Sequence, residues 1–247
     1  MTKNIKHLIV NILKQIKINK MKNLMHVTLP IFALFFTIGC QQNSEKATAK
    51  RAETTAKTTT TAKKNILFFG NSLTAGYGLD DASTAGFVGL TQQKIDSLNL
   101  SYRCINAGLS GETTAGGNSR IEWVIEQQPV DVFILELGGN DALRGLKVEE
   151  SEKNLQGILD KVRTKYPSVK IVLSGMEAPR NMWKVYTTAF HNVYPTLAKR
   201  NNIALIPFVL EGVGGIAELN QKDGIHPTAE GNKIIAETIW QILKPLL

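Results

Sequence analysis

From residue 65 to the C-terminus, the chain alternates between short apolar runs and longer segments with the period of a helix. Five of the runs have the length of a strand and are mostly β-branched or aromatic, and a helical segment follows each of them. Repeated strand and helix units of this kind join parallel strands and cover both faces of their sheet. The pattern therefore predicts an α/β fold, a three-layer α/β/α sandwich with a five-stranded parallel sheet. The expected strands are 65–69, 102–106, 131–137, 170–173 and 203–207, and the expected helices are 86–98, 114–128, 147–166, 182–201 and 228–246.

The charge of the chain divides where this alternation begins. The whole sequence has a formal net charge of +8 at pH 7, and a basic excess of this size suggests a nucleic acid or an anionic membrane as partner. Residues 1–64 hold 12 of the 29 Lys and Arg residues and two of the 21 Asp and Glu residues, so they carry +10. The 17 basic and 19 acidic residues of 65–247 give −2. We therefore expect no nucleic acid partner.

Residues 1–39 have the character of an N-terminal extension followed by an export signal. The run 27–39 is uncharged, follows Lys20 and Lys22, and ends on a small residue before Cys40. A basic stretch, an apolar run of 7–15 residues and a small residue at the cut are typical of a secretory signal peptide. A transmembrane helix needs about 20 apolar residues, and this run is shorter.

The four residues that end at Cys40 (TIGC) also resemble a bacterial lipobox, in which the cysteine becomes the diacylglyceryl-modified first residue of the mature protein. Thr37 stands where leucine is usual. We expect lipidation of Cys40; simple cleavage, an uncleaved anchor and a buried apolar segment are the alternatives. Residues 40–64 are rich in Thr, Ala and Lys without apolar periodicity, which predicts a solvated tether. The protein is thus expected to be exported and lipid-anchored at a bacterial membrane, facing the periplasm or the cell surface.

The segment before the export signal, 1–20, has two interpretations. Its apolar residues and five lysines suit a basic amphipathic helix at a membrane surface. The interpretation we favour is that translation starts at Met21, which leaves a signal peptide of ordinary form.

The first predicted strand leads into FFGNSLTAGYG, which places Ser72 at a strand-to-helix junction. Ligand sites of parallel sheets lie at the carboxyl ends of the strands, so the hydroxyl is well placed for a reaction. The segment does not fit the G-x-S-x-G nucleophile elbow, because Leu73 and Thr74 follow the serine. Taken alone, Ser72 is better explained as the N-cap of a helix than as a nucleophile.

Two further strand ends carry glycines and polar residues, in INAGLSGETTAGG and LELGGNDALRG. A glycine N–H and the side-chain amide of Asn140 are suitable donors to a developing oxyanion. Taken alone, however, these residues are better explained as residues that only turn the chain.

The last block, QKDGIHPTAEGN, brings Asp223 and His226 three residues apart before the C-terminal helix. At that spacing the carboxylate can accept a hydrogen bond from one imidazole nitrogen while the other faces a substrate. His7 and His26 lie in the targeting segment, and His191 lies in a helix where packing or surface roles suffice. In a serine hydrolase, His226 is therefore the only well-placed base.

Metal and nucleotide motifs are absent from the sequence. There is no HxxxH, no cysteine pair, no Walker loop and no Rossmann G-x-G-x-x-G. Cys40 and Cys104 fall in different parts of the chain and make no disulfide framework. We expect no metal and no cofactor.

With these residues in view, the chain from residue 65 onward resembles the SGNH (GDSL) hydrolases, closest to the bacterial arylesterase, thioesterase and lysophospholipase branch. Four family blocks occur in order, and Leu143 and Arg144 also match that branch. The resemblance spans about 183 of the 247 residues and implies the flavodoxin-like fold of the family. The blocks are GNSL around Ser72, SGET around Gly111, GGND around Asn140 and DGIH around Asp223 and His226.

The resemblance also implies roles for these residues. Ser72 would be the nucleophile, His226 the base and then the acid, and Asp223 its orienting partner. The backbone N–H groups of Ser72 and Gly111 and the amide of Asn140 would form the oxyanion hole. No cofactor and no obligate protein partner is implied; the partners are a small-molecule or lipid ester and, through Cys40, a membrane.

The chain departs from the family at one position, because Asn71 stands where the family has Asp. The amide is neutral and carries donors, so hydrogen bonds that a carboxylate would accept must be rearranged. The change either eases formation of the anionic intermediate beside Ser72 or loosens the loop of Gly111.

The expected activity is hydrolysis of short acyl or aryl esters or lysophospholipids, with thioesters as a possible in vitro substrate. One alternative is O-deacetylation of an envelope or dietary polysaccharide, and another is a non-catalytic binding lipoprotein. Acyl-chain length depends on the loops at 176–183 and 209–221, of which the first is either a lid or a plain connection.

Overall fold

The central sheet has five parallel strands in the order β2-β1-β3-β4-β5. The computed structural model describes residues 62–247. The predicted signal segment, Cys40 and nearly all of the tether lie outside the described residues, so those predictions stay predictions. The strands are β1 Lys64–Gly70, β2 Tyr102–Gly108, β3 Val132–Glu136, β4 Lys170–Ser174 and β5 Ala204–Ile206.

The strand order confirms the predicted α/β sandwich and its flavodoxin-like arrangement. From β1 the chain passes to β2 on one side, and then returns to build β3, β4 and β5 on the other. The direction of winding thus reverses between β1 and β3. In open α/β sheets this switch point leaves a crevice at the carboxyl ends of the strands, where ligands bind.

Eight α-helices cover the sheet within the part of the chain described. The helix α3 packs on α8, and α4 and α7 pack on α6, which makes the two outer layers. None of the described helices is long and apolar enough to cross a membrane. The helices are α1 Ser72–Ala75, α2 Ala82–Ala85, α3 Phe87–Ser97, α4 Thr114–Glu126, α5 Gly139–Leu143, α6 Val148–Lys165, α7 Lys184–Asn201 and α8 Ala229–Leu243.

Five of these helices match the predicted ones to within three residues at each end. Three short helices, α1, α2 and α5, were not predicted, because four or five residues are too few to show a helical period. Two of the three begin directly after a central strand. These two therefore belong to the crevice, whereas α2 packs on the outer helices α3 and α8.

The core lies where the two central strands run between the helical layers. All of β3 and all of β1 after its first residue are buried, as is usual for parallel strands covered on both faces. The amphipathic helices α6 and α8 contribute a stripe of apolar side chains, among them Leu155, Leu159, Ile235 and Ile239, which are each at most 1% exposed. The one acidic residue of β3, Glu136, is equally buried, at its carboxyl end.

Candidate active site

A hydroxyl, an imidazole and a carboxylate form a hydrogen-bonded series at the carboxyl edge of the sheet. The Nε2 atom of His226 lies 2.8 Å from the Oγ atom of Ser72. Its Nδ1 atom lies 2.7 Å from Oδ2 of Asp223. In the tautomer that suits both contacts, Nδ1–H donates to Asp223 and Nε2 accepts the Ser72 proton. The three residues that sequence reasoning singled out for one reaction thus meet in space.

Ser72 does not cap its helix. The N-cap of α1 is Asn71, whose Oδ1 accepts from the backbone N–H of Leu73 at 2.9 Å. Ser72 is the first residue of the helix, and its hydroxyl is turned to His226. The N-cap interpretation of Ser72 is therefore wrong, because the preceding amide already satisfies the free N–H at this helix end.

The carboxylate of Asp223 is fixed by its own turn. Its Oδ1 atom accepts from the backbone N–H groups of Ile225 and His226, at 3.0 and 3.1 Å. The hydrogen bond from the His226 ring, helped by these backbone donors, lowers the pKa of Asp223 to about 2. Since the side chain of His226 is 14% exposed against 40% for Asp223, a charged carboxylate faces a shielded imidazole.

An aromatic ring covers the imidazole. The rings of Tyr77 and His226 have centroids 4.6 Å apart. Gln221 joins the two loops, because its side chain donates to the Tyr77 carbonyl at 2.7 Å and its backbone N–H donates to the His226 carbonyl at 2.7 Å. Sequence reasoning missed Tyr77; the only signal was an aromatic residue between two glycines in the Ser72 block.

The predicted oxyanion donors line the same cavity as Ser72 and His226, which has a volume of about 850 Å³. Gly111 has φ +80°, in the left-handed region where a side chain would be strained. The loop that carries it is held from α5, because Asn140 Nδ2 donates to the carbonyl of Glu112 at 3.0 Å and Arg144 donates to that of Gly111 at 3.1 Å. One amide hydrogen of Asn140 remains for a ligand.

A buried ion pair supports this loop from below. Arg120 on α4 binds Glu112 in a bidentate manner, with N···O distances of 2.7 and 2.5 Å. The guanidinium also donates to the carbonyl of Ala107 at 3.0 Å and lies 4.2 Å from the centre of the Phe69 ring. The Gly111 loop is thereby fixed to both β2 and α4. Neither charged residue was assigned a role from sequence.

Asp141, the residue after Asn140, is a second buried carboxylate with three donors. Its oxygens accept from the backbone N–H of Thr114 at 2.9 Å, from the Thr114 hydroxyl at 2.5 Å and from the Ser151 hydroxyl at 3.1 Å. It therefore joins the N-terminal end of α4, α5 and the first turn of α6. Its charge also lies at a helix N-terminus, where an anion is favourable.

Asn71, which stands where the family has Asp, contacts the buried Glu136. Its amide donates to Oε1 of Glu136 at 2.8 Å, and the Thr74 hydroxyl donates to Oε2 at 2.7 Å. Burial raises the pKa of Glu136 to about 7 despite these donors. An aspartate could still cap α1, but it has no hydrogen for Glu136. None of the Asn71 hydrogen bonds described goes to the Gly111 loop.

His191 is exposed on α7, with Nδ1 3.7 Å from Oε1 of Glu177. The surface role expected from its sequence position is confirmed. In the part of the chain described, no group of three or more His, Cys, Asp or Glu side chains is arranged to hold a metal ion.

A parallel sheet that presents a hydroxyl, an imidazole and a carboxylate in series beside an amide donor has the arrangement of serine-dependent acyl hydrolases. The comparisons with known proteins agree. The GDSL-like Lipase/Acylhydrolase family profile matches residues 68–234. The chain belongs to this family, also known as the SGNH hydrolases, and is a carboxylic ester hydrolase.

Similar proteins cover about three quarters of this chain. Esterase TesA of Pseudomonas aeruginosa is 38% identical over 75% of this chain and 90% of its own length. The thioesterase 1/protease 1/lysophospholipase L1 of Escherichia coli K12 is 33% identical over 75% of this chain and 86% of its own. The crystal structure of the psychrotrophic esterase EstA from Pseudoalteromonas superposes with a TM-score of 0.69 at 29% identity, covering 74% of this chain and 98% of that one.

The Glu136 contact predicts how stability depends on pH. Because its folded pKa of about 7 exceeds the ordinary 4.5, the folded state holds the proton more tightly, and stability is lost as pH rises through 7. The loss from this group is about 3 kcal/mol. In Asn71→Asp two buried carboxyls share one proton, so we expect a steeper fall in the free energy of unfolding between pH 6 and 9, measured by urea titration.

The double variant Asn71→Asp with Glu136→Gln is the matched control, because it exchanges the acid and the amide across the same contact. It should restore a shallow pH dependence. Equal slopes for the wild type and Asn71→Asp would contradict the assignment of Glu136 as a buried titrating group.

Asp141 generates a second prediction. In Asp141→Asn an amide replaces one carboxylate oxygen and faces a donor, so we expect a loss of about 2–3 kcal/mol in the free energy of unfolding. The kcat for p-nitrophenyl acetate should also fall, since α5 carries Asn140. Asp160→Asn, on an exposed part of α6, should change stability by less than about 0.5 kcal/mol. Similar effects for both variants would exclude a supporting role for Asp141.

Proposed function

We propose that the chain hydrolyses its ester substrates with Ser72 as nucleophile, His226 as general base and acid, and Asp223 as the residue that orients the imidazole. The observation that carries this proposal is the series of hydrogen bonds of 2.8 and 2.7 Å that joins the three side chains.

The first half of the reaction forms an acyl-enzyme. The Ser72 oxygen attacks the ester carbonyl carbon while its proton passes to Nε2 of His226. Asp223, ionised above about pH 2, stabilises the imidazolium that results. The tetrahedral intermediate then collapses, the C–O bond to the alcohol breaks, and His226 gives its proton to the departing oxygen.

The negative charge of the intermediate falls on the former carbonyl oxygen. The N–H groups of Ser72 and Gly111 and the free amide hydrogen of Asn140 border the cavity and are the donors we assign to it. Because the Glu112, Arg120 and Asp141 contacts already fix these donors, little reorganisation is needed when the charge develops. In the second half, His226 activates a water molecule, which releases the acid from Ser72.

The lining of the cavity supports a substrate with an apolar acyl or aryl group. Beyond the polar residues around Ser72, the wall is built from Met176, Phe208, Leu210, Leu143 and Ile225. Short acyl esters, aryl esters and lysophospholipids combine a polar ester with such a group. A thioester is chemically suitable, but an exported enzyme would not meet acyl-CoA.

We further propose that Cys40 carries a lipid anchor that holds the domain at a bacterial membrane, facing the periplasm or the cell surface. The support is the basic stretch, the apolar run 27–39 and the small residue before the cysteine. Residues 40–61 would then link the anchor to the described domain.

The nucleophile is tested with Ser72→Ala. We expect kcat for p-nitrophenyl acetate to fall by at least about 10³-fold and labelling by a fluorophosphonate probe to disappear. Ser110→Ala is the matched control, because Ser110 lines the same cavity without a hydrogen bond to His226 in the structure; it should keep both properties. Wild-type activity in Ser72→Ala would overturn the assignment, and hydrolysis of acetylated xylan in preference to lysophospholipid would favour the deacetylase alternative.

Lipidation is tested by palmitate labelling in cells. Because the chain has two cysteines, Cys40 and Cys104, each serves as the control of the other. We expect Cys40→Ser to lose the label and Cys104→Ser to retain it, and globomycin to block maturation of the wild type. Retention of the palmitate label in Cys40→Ser would overturn the proposal.

A further inference from the structure

Most of the exposed apolar side chains of the domain lie in the segments that follow the carboxyl ends of the strands, and three of them, Tyr77, Leu143 and Ile225, line the cavity. Eleven large hydrophobic residues are exposed within residues 62–247, and eight of them follow the carboxyl ends of the strands, where the cavity opens. Exposed apolar groups gathered in one place mark an interaction surface rather than random exposure. The eight are Tyr77, Leu109, Leu143, Leu146, Trp183, Val185, Ile216 and Ile225.

One side of this mouth is also cationic. We call it the cationic lobe and define it as residues 143–147, between α5 and α6, with residues 180–185, before and at the start of α7. The Tyr186 hydroxyl joins the two segments by donating to the Leu146 carbonyl at 2.9 Å. Trp183 and Val185 are its most exposed apolar residues, with 87% and 84% of their surfaces exposed.

The charge of the lobe contrasts with that of the domain. It contains Arg144, Lys147, Arg180 and Lys184 and no acidic residue, although residues 65–247 carry −2 in total. All four are exposed, and none forms a salt bridge with any residue of the described domain. Four cations without an acidic partner in the described domain favour an anionic partner outside the chain.

The combination of an exposed tryptophan, aliphatic side chains and lysines or arginines is suited to the interface of a lipid bilayer. Trp settles at the level of the headgroups, aliphatic side chains reach the acyl boundary, and cations bind anionic phosphates. We propose that the cationic lobe docks the mouth of the cavity on a bilayer surface that contains anionic phospholipid. Docking itself does not depend on catalysis. The further step, that the docked domain takes its ester lipids from that surface, rests on the proposed function.

Chain length is compatible with this orientation. The strand β1 begins at Lys64, at the amino edge of the sheet, which is the edge opposite the cavity. Residues 40–61 can span at most about 75 Å, against a radius of gyration of about 16 Å for a domain of this size. A chain anchored at Cys40 can therefore still present the cavity to the same membrane.

Trp183 supplies the test. The full-length protein is reconstituted in vesicles of phosphatidylcholine and 30% phosphatidylglycerol with brominated phosphatidylcholine, which quenches indoles at the bilayer. We expect quenching in the wild type and in Trp123→Phe, whose indole is 64% exposed on α4, and at least about a twofold loss of quenching in Trp183→Phe. Equal quenching in the two variants would overturn the proposal.

The charge is tested with the double variant Lys147→Glu, Lys184→Glu. Reversal of two charges near an anionic surface should lower hydrolysis of lysophosphatidylglycerol in these vesicles by at least about tenfold, while kcat/KM for p-nitrophenyl acetate in solution stays unchanged. The control is Lys165→Glu, Lys199→Glu, the same change in the last turns of α6 and α7, which should leave both rates unaltered.

The possible failures are distinguishable. Loss of p-nitrophenyl acetate hydrolysis in Ser72→Ala tests the proposed function alone and leaves Trp183 quenching in place. Equal quenching of Trp183 in vesicles of pure phosphatidylcholine, or quenching unaffected by 0.5 M NaCl, would overturn the anionic lipid surface as partner. Binding of the cationic lobe to a protein partner, without binding to vesicles, would also overturn it.

Discussion

The structure depends on the contact of the His226 imidazole with a hydroxyl 154 residues earlier in the chain. That contact requires the loop before α8 to lie over the carboxyl end of β1. Two interactions bring it there: Asn232 on α8 accepts from the backbone N–H of Phe87 at 3.0 Å, and Gln221 bonds the loop of Tyr77. The parallel sheet, with its reversal between β1 and β3, supplies the crevice in which the two loops meet.

Buried carboxylates hold the rest of this edge. The three buried acidic residues of the described domain, Glu112, Glu136 and Asp141, all support the site. A buried charge is costly unless donors surround it, and donors face all three: a guanidinium for Glu112, Asn71 and Thr74 for Glu136, and Thr114 and Ser151 for Asp141. At Glu136 burial outweighs the donors and raises the pKa to about 7. Removal of these carboxylates would leave unpaired donors under the cavity, so the network keeps the residues of the site in one arrangement.

The sequence alone was sufficient to predict the sheet and its long helices and to identify the four blocks. Strands buried on both faces and helices with one apolar face each produce a recognisable local pattern of apolar residues. The sequence was also sufficient to bring Ser72, Asp223 and His226 together, since their blocks follow in family order. The role of Glu136 was not predictable, because its partner Asn71 lies 65 residues away and nothing local distinguishes a buried glutamate at a strand end. The exposure of Trp183 was not predictable either, because no local pattern in its segment indicates which side chains face solvent.

The central claim is that the ester's acyl group passes through the oxygen of Ser72. The most direct measurement is mass spectrometry of the protein quenched with acid during turnover of p-nitrophenyl acetate, followed by peptide mapping. The mechanism predicts an added acetyl group on the peptide that contains Ser72, absent from Ser72→Ala and unaffected in Ser110→Ala. An acetyl group found only on another residue, or full hydrolysis with no acylated peptide under conditions that trap a stable acetylserine, would contradict it.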